Sequence, residues 1–116
     1  MPAKPLSGDA LLDVLSTLAN PHRLRVLAAL AGGRDYVSQI ARELSMSRPL
    51  LQMHLKKLEA SGLVTSKLEL SDDGKAMNFY QLAPFSIVLD AAALARAAKT
   101  LTPPSDAGAS PARKPR

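Results

Sequence analysis

Only three residues, Ser45, Met46 and Ser47, separate two segments with helical periodicity, and so short a link forces two helices to pack against each other at a steep angle. The first segment, VSQIARELS, sets Val37, Ile40, Ala41 and Leu44 at helical spacing, with Ser38 placed as a cap. The second, RPLLQMHLKKLEASG, puts Leu51, Leu55 and Leu58 on one stripe and stops at Gly62. Together they read as a helix-turn-helix, and every other element must pack around it.

Two helices are expected before it. Ser7 precedes GDALLDVLSTLA, where Leu11, Val14, Leu15 and Leu18 form an apolar stripe that leaves Leu12 outside. Asn20 followed by Pro21 is a cap and a first helical position, and HRLRVLAALA places Leu24, Leu27, Ala28 and Ala31 on one face before Gly32 and Gly33 end the helix. After the helix-turn-helix, LVTSKLEL and AMNFYQL flank SDDGK, a strong turn signal, and so predict a hairpin. Pro84 is expected to open a last, Ala-rich helix, FSIVLDAAALARAAKTL. The fold class that follows is mainly α with a β-hairpin wing, in the order α-α-α-α-β-β-α: a winged helix-turn-helix.

Composition agrees with packed helices. Hydrophobic residues make up 47% of the 116 and aromatics only 3%, so the interior must be built from Leu, Val, Ile and Ala. Residues 7–101 are expected to form one winged-helix domain, with a flexible N-terminus at 1–6 and a Pro-rich basic tail at 102–116 that buries too little apolar surface to order itself. Cysteine is absent, which removes disulfides, thiolate metal sites and cysteine nucleophiles together. A glycine-rich phosphate loop, an HExxH motif and a recognisable Ser, His and Asp set are also missing, so catalysis is not expected. No apolar run is long enough for a membrane span and the N-terminus lacks the core of a signal peptide, so a cytoplasmic protein is expected.

The net charge is +5, of which the chain up to Leu101 carries +3 from twelve basic and nine acidic residues. Such a balance suits a polyanion without specifying one. The second helix of the helix-turn-helix is more telling. With its leucines inward, Arg48, Pro49, Gln52, Met53 and Lys56 point outward, and between Ser47 and Leu58 there is no carboxylate. Arg48 can make a bidentate contact with guanine, Gln52 one with adenine, and Met53 can touch a thymine methyl. Ser47, at the helix start with free backbone N–H groups, suits a phosphate. Lys67 and Lys75 on the hairpin are further phosphate candidates, opposed by Asp72 and Asp73 at its tip. Arg113, Lys114 and Arg116 in the tail would add salt-sensitive affinity for any sequence.

The runs LANPHRLRVLAAL, LSMSRPLLQMHLKKLEASGLV and DDGKAMNFYQL, in this order, resemble the ArsR/SmtB-type winged-helix transcriptional regulators over roughly residues 11–101. The resemblance implies a homodimer whose first and last helices form the interface and whose recognition helices face two DNA half-sites about 34 Å apart. The residues agree: Leu11, Leu12 and Leu15 on the first helix, with Phe85, Val88, Leu89 and Ala92 on the last, offer more apolar surface than one small core can use. A protein-interaction adaptor on the same fold, facing an acidic partner, is the competing expectation.

This chain departs from the family at the effector site. The third helix lacks the cysteine cluster of metal-sensing relatives, and the last helix has Asp90 but no histidine. Any metal would have to be held by nitrogen and oxygen ligands from His22, His54, Asp9, Asp13 or Asp90, a donor set that suits nickel or zinc. Since the family includes nickel-responsive members, nickel is the first metal to expect; an organic ligand or a second regulatory protein are the alternatives. For His54, a hydrogen-bonded packing role is expected ahead of metal ligation, and for His22 a surface position.

Overall fold

A computed structural model describes residues 6–103. The elements run α1 (Gly8–Leu18), α2 (Pro21–Leu30), β1 (Asp35–Tyr36), α3 (Val37–Leu44), α4 (Arg48–Ala60), β2 (Val64–Leu70), β3 (Ala76–Leu82) and α5 (Ala91–Lys99). The tail cations at 113, 114 and 116 lie outside the described residues.

The core is aliphatic. Val26, Ile40, Leu51, Leu55, Leu58 and Val64 are at most 1% exposed, and Tyr80 closes the cluster from the sheet. Each fully buried leucine contributes roughly 1.5–3 kcal/mol by leaving water. Three of them, Leu51, Leu55 and Leu58, form the expected stripe, so the buried face of α4 sets which side chains remain outside.

Helix ends are written into the sequence. Ser7, Asn20, Ser47 and Asp90 each accept a backbone N–H into the first turn that follows, meeting donors that the helix leaves unpaired. The left-handed Gly62 ends α4, with the Leu63 N–H donating to the Leu58 carbonyl (2.9 Å) and the Gly62 N–H to that of Glu59 (3.0 Å). Ser45 ends α3 in the same way at φ +53°, with the Met46 N–H on the Ala41 carbonyl (2.9 Å), and this makes the tight turn into α4.

Four expectations need correction. In α2 the buried residues are Val26, Leu27 and Leu30, while Leu24 is 57% exposed and Ala28 and Ala31 face solvent. A face carrying Val26 and Leu30 buries more apolar area than one carrying two alanines. Ser38 is not the cap of α3: Tyr36 holds that position without a side-chain bond, because its backbone is still paired with Phe79 of β3. That pairing adds the short strand β1, which two residues could not announce, and makes the wing a three-stranded antiparallel sheet in the order β1-β3-β2. Lastly, Pro84 does not open α5. Residues 83–89 are non-helical, Ile87 packs against the core, and the helix begins at Ala91, where the Asp90 carboxylate accepts the Ala93 N–H at 2.8 Å. The β-branched pair Ile87-Val88 gives a helix little support, and Asp90 is a strong start signal.

Candidate nucleic-acid interface

With one side of α4 committed to the core, Arg48, Pro49, Gln52, Met53 and Lys56 are all exposed, and Met53 is 57% so. The structure therefore brings the five outward residues expected from the periodicity onto one uncovered face. Its first turn is less open to an anion than the sequence suggests. The Ser47 hydroxyl accepts the Leu50 N–H (3.3 Å) and Pro49 has no N–H, so Arg48 has the one backbone donor left among the first three helical residues. A phosphate there would meet the Arg48 side chain rather than a cradle of amides.

The wing stands beside this helix. Ser66 donates to Glu59 of α4 (2.8 Å), which turns the face of β2 and β3 bearing Ser66 and Tyr80 toward α4. Lys67 lies on the opposite face, across from Phe79, with its side chain 76% exposed. The turn is tight: the Ser71 hydroxyl bonds the Asp73 carboxylate, and the Lys75 N–H donates to the Ser71 hydroxyl at 3.1 Å. The Ser71 hydroxyl, and then the Lys75 N–H, which also reaches an Asp73 oxygen at 3.5 Å, hold the Asp73 carboxyl below its ordinary pKa, so the tip keeps its negative charge beside Lys75.

Several polar side chains that the sequence reading passed over anchor α4 from behind. Thr17 is fully buried, donates to the Asp13 carbonyl (2.8 Å) and meets the Ser61 hydroxyl at 2.7 Å. Arg23, half-buried at the start of α2, donates from Nε to the Thr17 carbonyl (2.6 Å) and lies 3.5 Å from Nδ1 of His54. Thr17 could have been found in the sequence, since it follows Val14 by three on the same helical face. His54 is 3% exposed, so the expected packing role fits its place, but the expected hydrogen bond is only a long contact and Nε2 has no partner among the described residues. Because a guanidinium only donates, the Arg23 contact makes Nδ1 the acceptor and puts the proton on Nε2. Burial, and then the charges of Arg23 and His22, hold this imidazole below its ordinary value.

The five metal candidates do not converge within the chain. His22 and His54 meet, with ring centroids 5.4 Å apart, but Asp9 is bonded to Thr102, Asp13 to Lys57, and Asp90 to the first turn of α5. Among the described residues no three His, Asp or Glu side chains form a group that could hold a metal. The Arg23 guanidinium against His54 adds a positive charge beside the paired imidazoles, so the five candidates as placed among the described residues do not form a nickel or zinc site.

The surface expected to meet a second copy is mostly uncovered. Leu12 is 56% exposed, Phe85 43%, Val88 62% and Leu89 52%; Ala92 is exposed and Leu15 half-buried. Leu11 is the exception, since at 7% exposure it is already spent inside the chain. Behind it α1 and α5 are laced together. The Gly8 N–H donates to the Thr100 hydroxyl (2.7 Å), the Thr102 N–H to Asp9 (3.0 Å), and Ala97 is buried.

A helix with an uncovered polar and basic face, held in a helix-turn-helix and flanked by a three-stranded wing, defines a winged helix-turn-helix domain of the DNA-binding class. Comparison with known proteins carries this to a family. The profile described as bacterial regulatory protein, arsR family, matches residues 20–66. A helix-turn-helix transcriptional regulator of Methanocaldococcus jannaschii is 35% identical over 83 residues, which is 69% of this chain and 86% of that protein. The homodimeric winged helix-turn-helix DNA-binding domain of a possible ArsR-family regulator from Mycobacterium bovis is 30% identical, with a TM-score of 0.59 over 66% of each chain. NolR from Sinorhizobium fredii is 28% identical, with a TM-score of 0.57 over 70% of this chain and 82% of its own. The chain belongs to the ArsR family of transcriptional regulators. Among the described residues no helix is long and apolar enough to cross a membrane.

Proposed function

We propose that this regulator acts as a homodimer that reads a specific DNA site, with α4 of each protomer in the major groove and the wing alongside. The observation that carries this reading is the division of α4 itself. Leu51, His54, Leu55 and Leu58 are buried, while Arg48, Gln52, Met53 and Lys56 are left outside without a carboxylate among them. Arg48 and Gln52 are suited to base edges, Lys56 and the wing lysines Lys67 and Lys75 to phosphates, so specificity and affinity come from different residues. The uncovered leucines and valine of α1 and the α5 region form the seam that spaces two such helices for successive turns of the duplex. The homodimeric state of the Mycobacterium bovis relative supports that pairing.

The test is binding to a duplex carrying the protein's own promoter region against a random duplex of equal length. Arg48→Ala should lower affinity for the specific site by roughly 5- to 100-fold and leave random-sequence binding nearly unchanged. Equal binding of the wild type to both duplexes would defeat this reading in favour of the adaptor.

A further inference from the structure

Glu69 is the one carboxylate on the outer face of the wing hairpin, and it sits beside Lys67, two residues away on the same strand face, with Nζ and Oε2 3.8 Å apart. A carboxylate there would ordinarily work against DNA binding in two ways. It repels phosphate, and it competes with phosphate for the neighbouring ammonium. In this structure its oxygens are taken by another residue. Arg34, in the link between α2 and β1, donates from Nη1 to Oε2 (2.6 Å) and from Nη2 to Oε1 (3.1 Å), a bidentate pairing that matches both carboxylate oxygens. The guanidinium is also seated over the Phe79 ring, with its carbon 4.3 Å from the centroid, and Tyr36 of β1 meets that ring edge-on. Arg34, Lys67 and Phe79 line a single small cleft.

The two cations are therefore placed unequally around one anion. Arg34 is fixed by both oxygens and an aromatic face; Lys67 is at the limit of ion pairing, with 76% of its side chain exposed. We infer that Arg34 is a positioning residue for DNA binding: it occupies Glu69 and so leaves the Lys67 ammonium free for a phosphate. The role is one of charge rather than of wing shape, since the β2–β3 ladder is paired along its whole length from Val64↔Leu82 to Leu70↔Ala76 without help from side chains. Lysine could not replace it, because an ammonium offers neither the fork for two oxygens nor the flat face for Phe79.

The inference rests on the proposal that the wing faces DNA, and the experiment separates the two. Wild type, K67Q, R34A, E69Q, R34A/E69Q and R34A/K67Q are titrated onto the promoter duplex across a salt series. K67Q should lower affinity about 3- to 10-fold and reduce the slope of log K against log salt by about 0.9, the signature of one lost phosphate contact. R34A should do the same, because Glu69 then captures Lys67. Adding E69Q to R34A should restore wild-type affinity and slope, although both halves of the ion pair are now gone, which a purely structural clamp would not allow. R34A/K67Q should be no weaker than K67Q. If K67Q binds as the wild type does, the wing is not at the DNA and both readings fall. If K67Q is weakened but R34A is not, or if E69Q fails to restore R34A, the wing reading stands and the assignment of Arg34 is wrong.

Discussion

His54 is the residue whose chemistry is most at odds with its surroundings. An imidazole on the buried face of α4, 3% exposed and facing a guanidinium, is held neutral, with its pKa below the ordinary 6.5. The sign of the linkage follows. Unfolded chains bind a proton at His54 near the ordinary value while folded ones do not, so this residue's contribution is complete above about pH 6.5 and is lost as the pH falls from there toward the depressed folded value. Stability measured by urea unfolding should therefore decline on acidification through that window, and the His54 ring resonances in NMR should titrate with a midpoint below the ordinary 6.5. A His54 midpoint at or above 6.5 would show that neither the burial nor the Arg23 contact operates in solution.

At the scale of elements, α1 and α5 meet in a close joint. Gly8 lies so close to the last turn of α5 that a Cβ there would run into the Ala97 carbonyl oxygen and come within 2.7 Å of the Leu101 side chain. Helix propensity alone would make Gly8→Ala favourable by up to about 1 kcal/mol. Crowding against backbone has the opposite sign, and costs about 1–3 kcal/mol when a packed site cannot give way. The substitution should thus destabilise the chain in urea unfolding, and a gain in stability would mean that the two helices are not locked at this point. None of this joint was legible in the sequence, where Gly8 is merely the residue after Ser7. The elements themselves were legible where local chemistry decides them: Asn20 as a cap, Gly62 as a stop, SDDGK as a turn. The outward face of α4 followed from three leucines. The reading failed where a distant partner decides. Tyr36 is a strand residue because of Phe79, and α2 is rotated because Val26 and Leu30 have a core to fill. Arg34 passed unnoticed because its meaning depends on Glu69, which lies 35 residues along the chain.

For the whole molecule, the prediction concerns assembly. Leu89 is 52% exposed, near Phe85 and Val88 in the chain, which are exposed too, and in the proposed homodimer a carboxylate placed there would be stranded in a desolvated seam. On the proposed pairing the wild type should sediment as a dimer and Leu89→Glu as a monomer at the same concentration, and the variant should lose affinity for a two-half-site duplex more than for a single half-site. A variant that still sediments as the dimer would place the seam elsewhere. The order of the sheet also has a consequence beyond DNA. With β3 in the centre, β2 is an outer strand of seven residues whose free side offers a row of unpaired amides and carbonyls, and it carries Leu68 and Leu70 at 64% and 74% exposure. In concentrated protein without DNA, such a strand is a template on which another copy can stack edge to edge. Lys67, midway along it, makes two like-charged strands repel at the point where they would have to meet. The same ammonium that the proposal offers to a phosphate when DNA is present would thus also oppose fibrous self-association when DNA is absent.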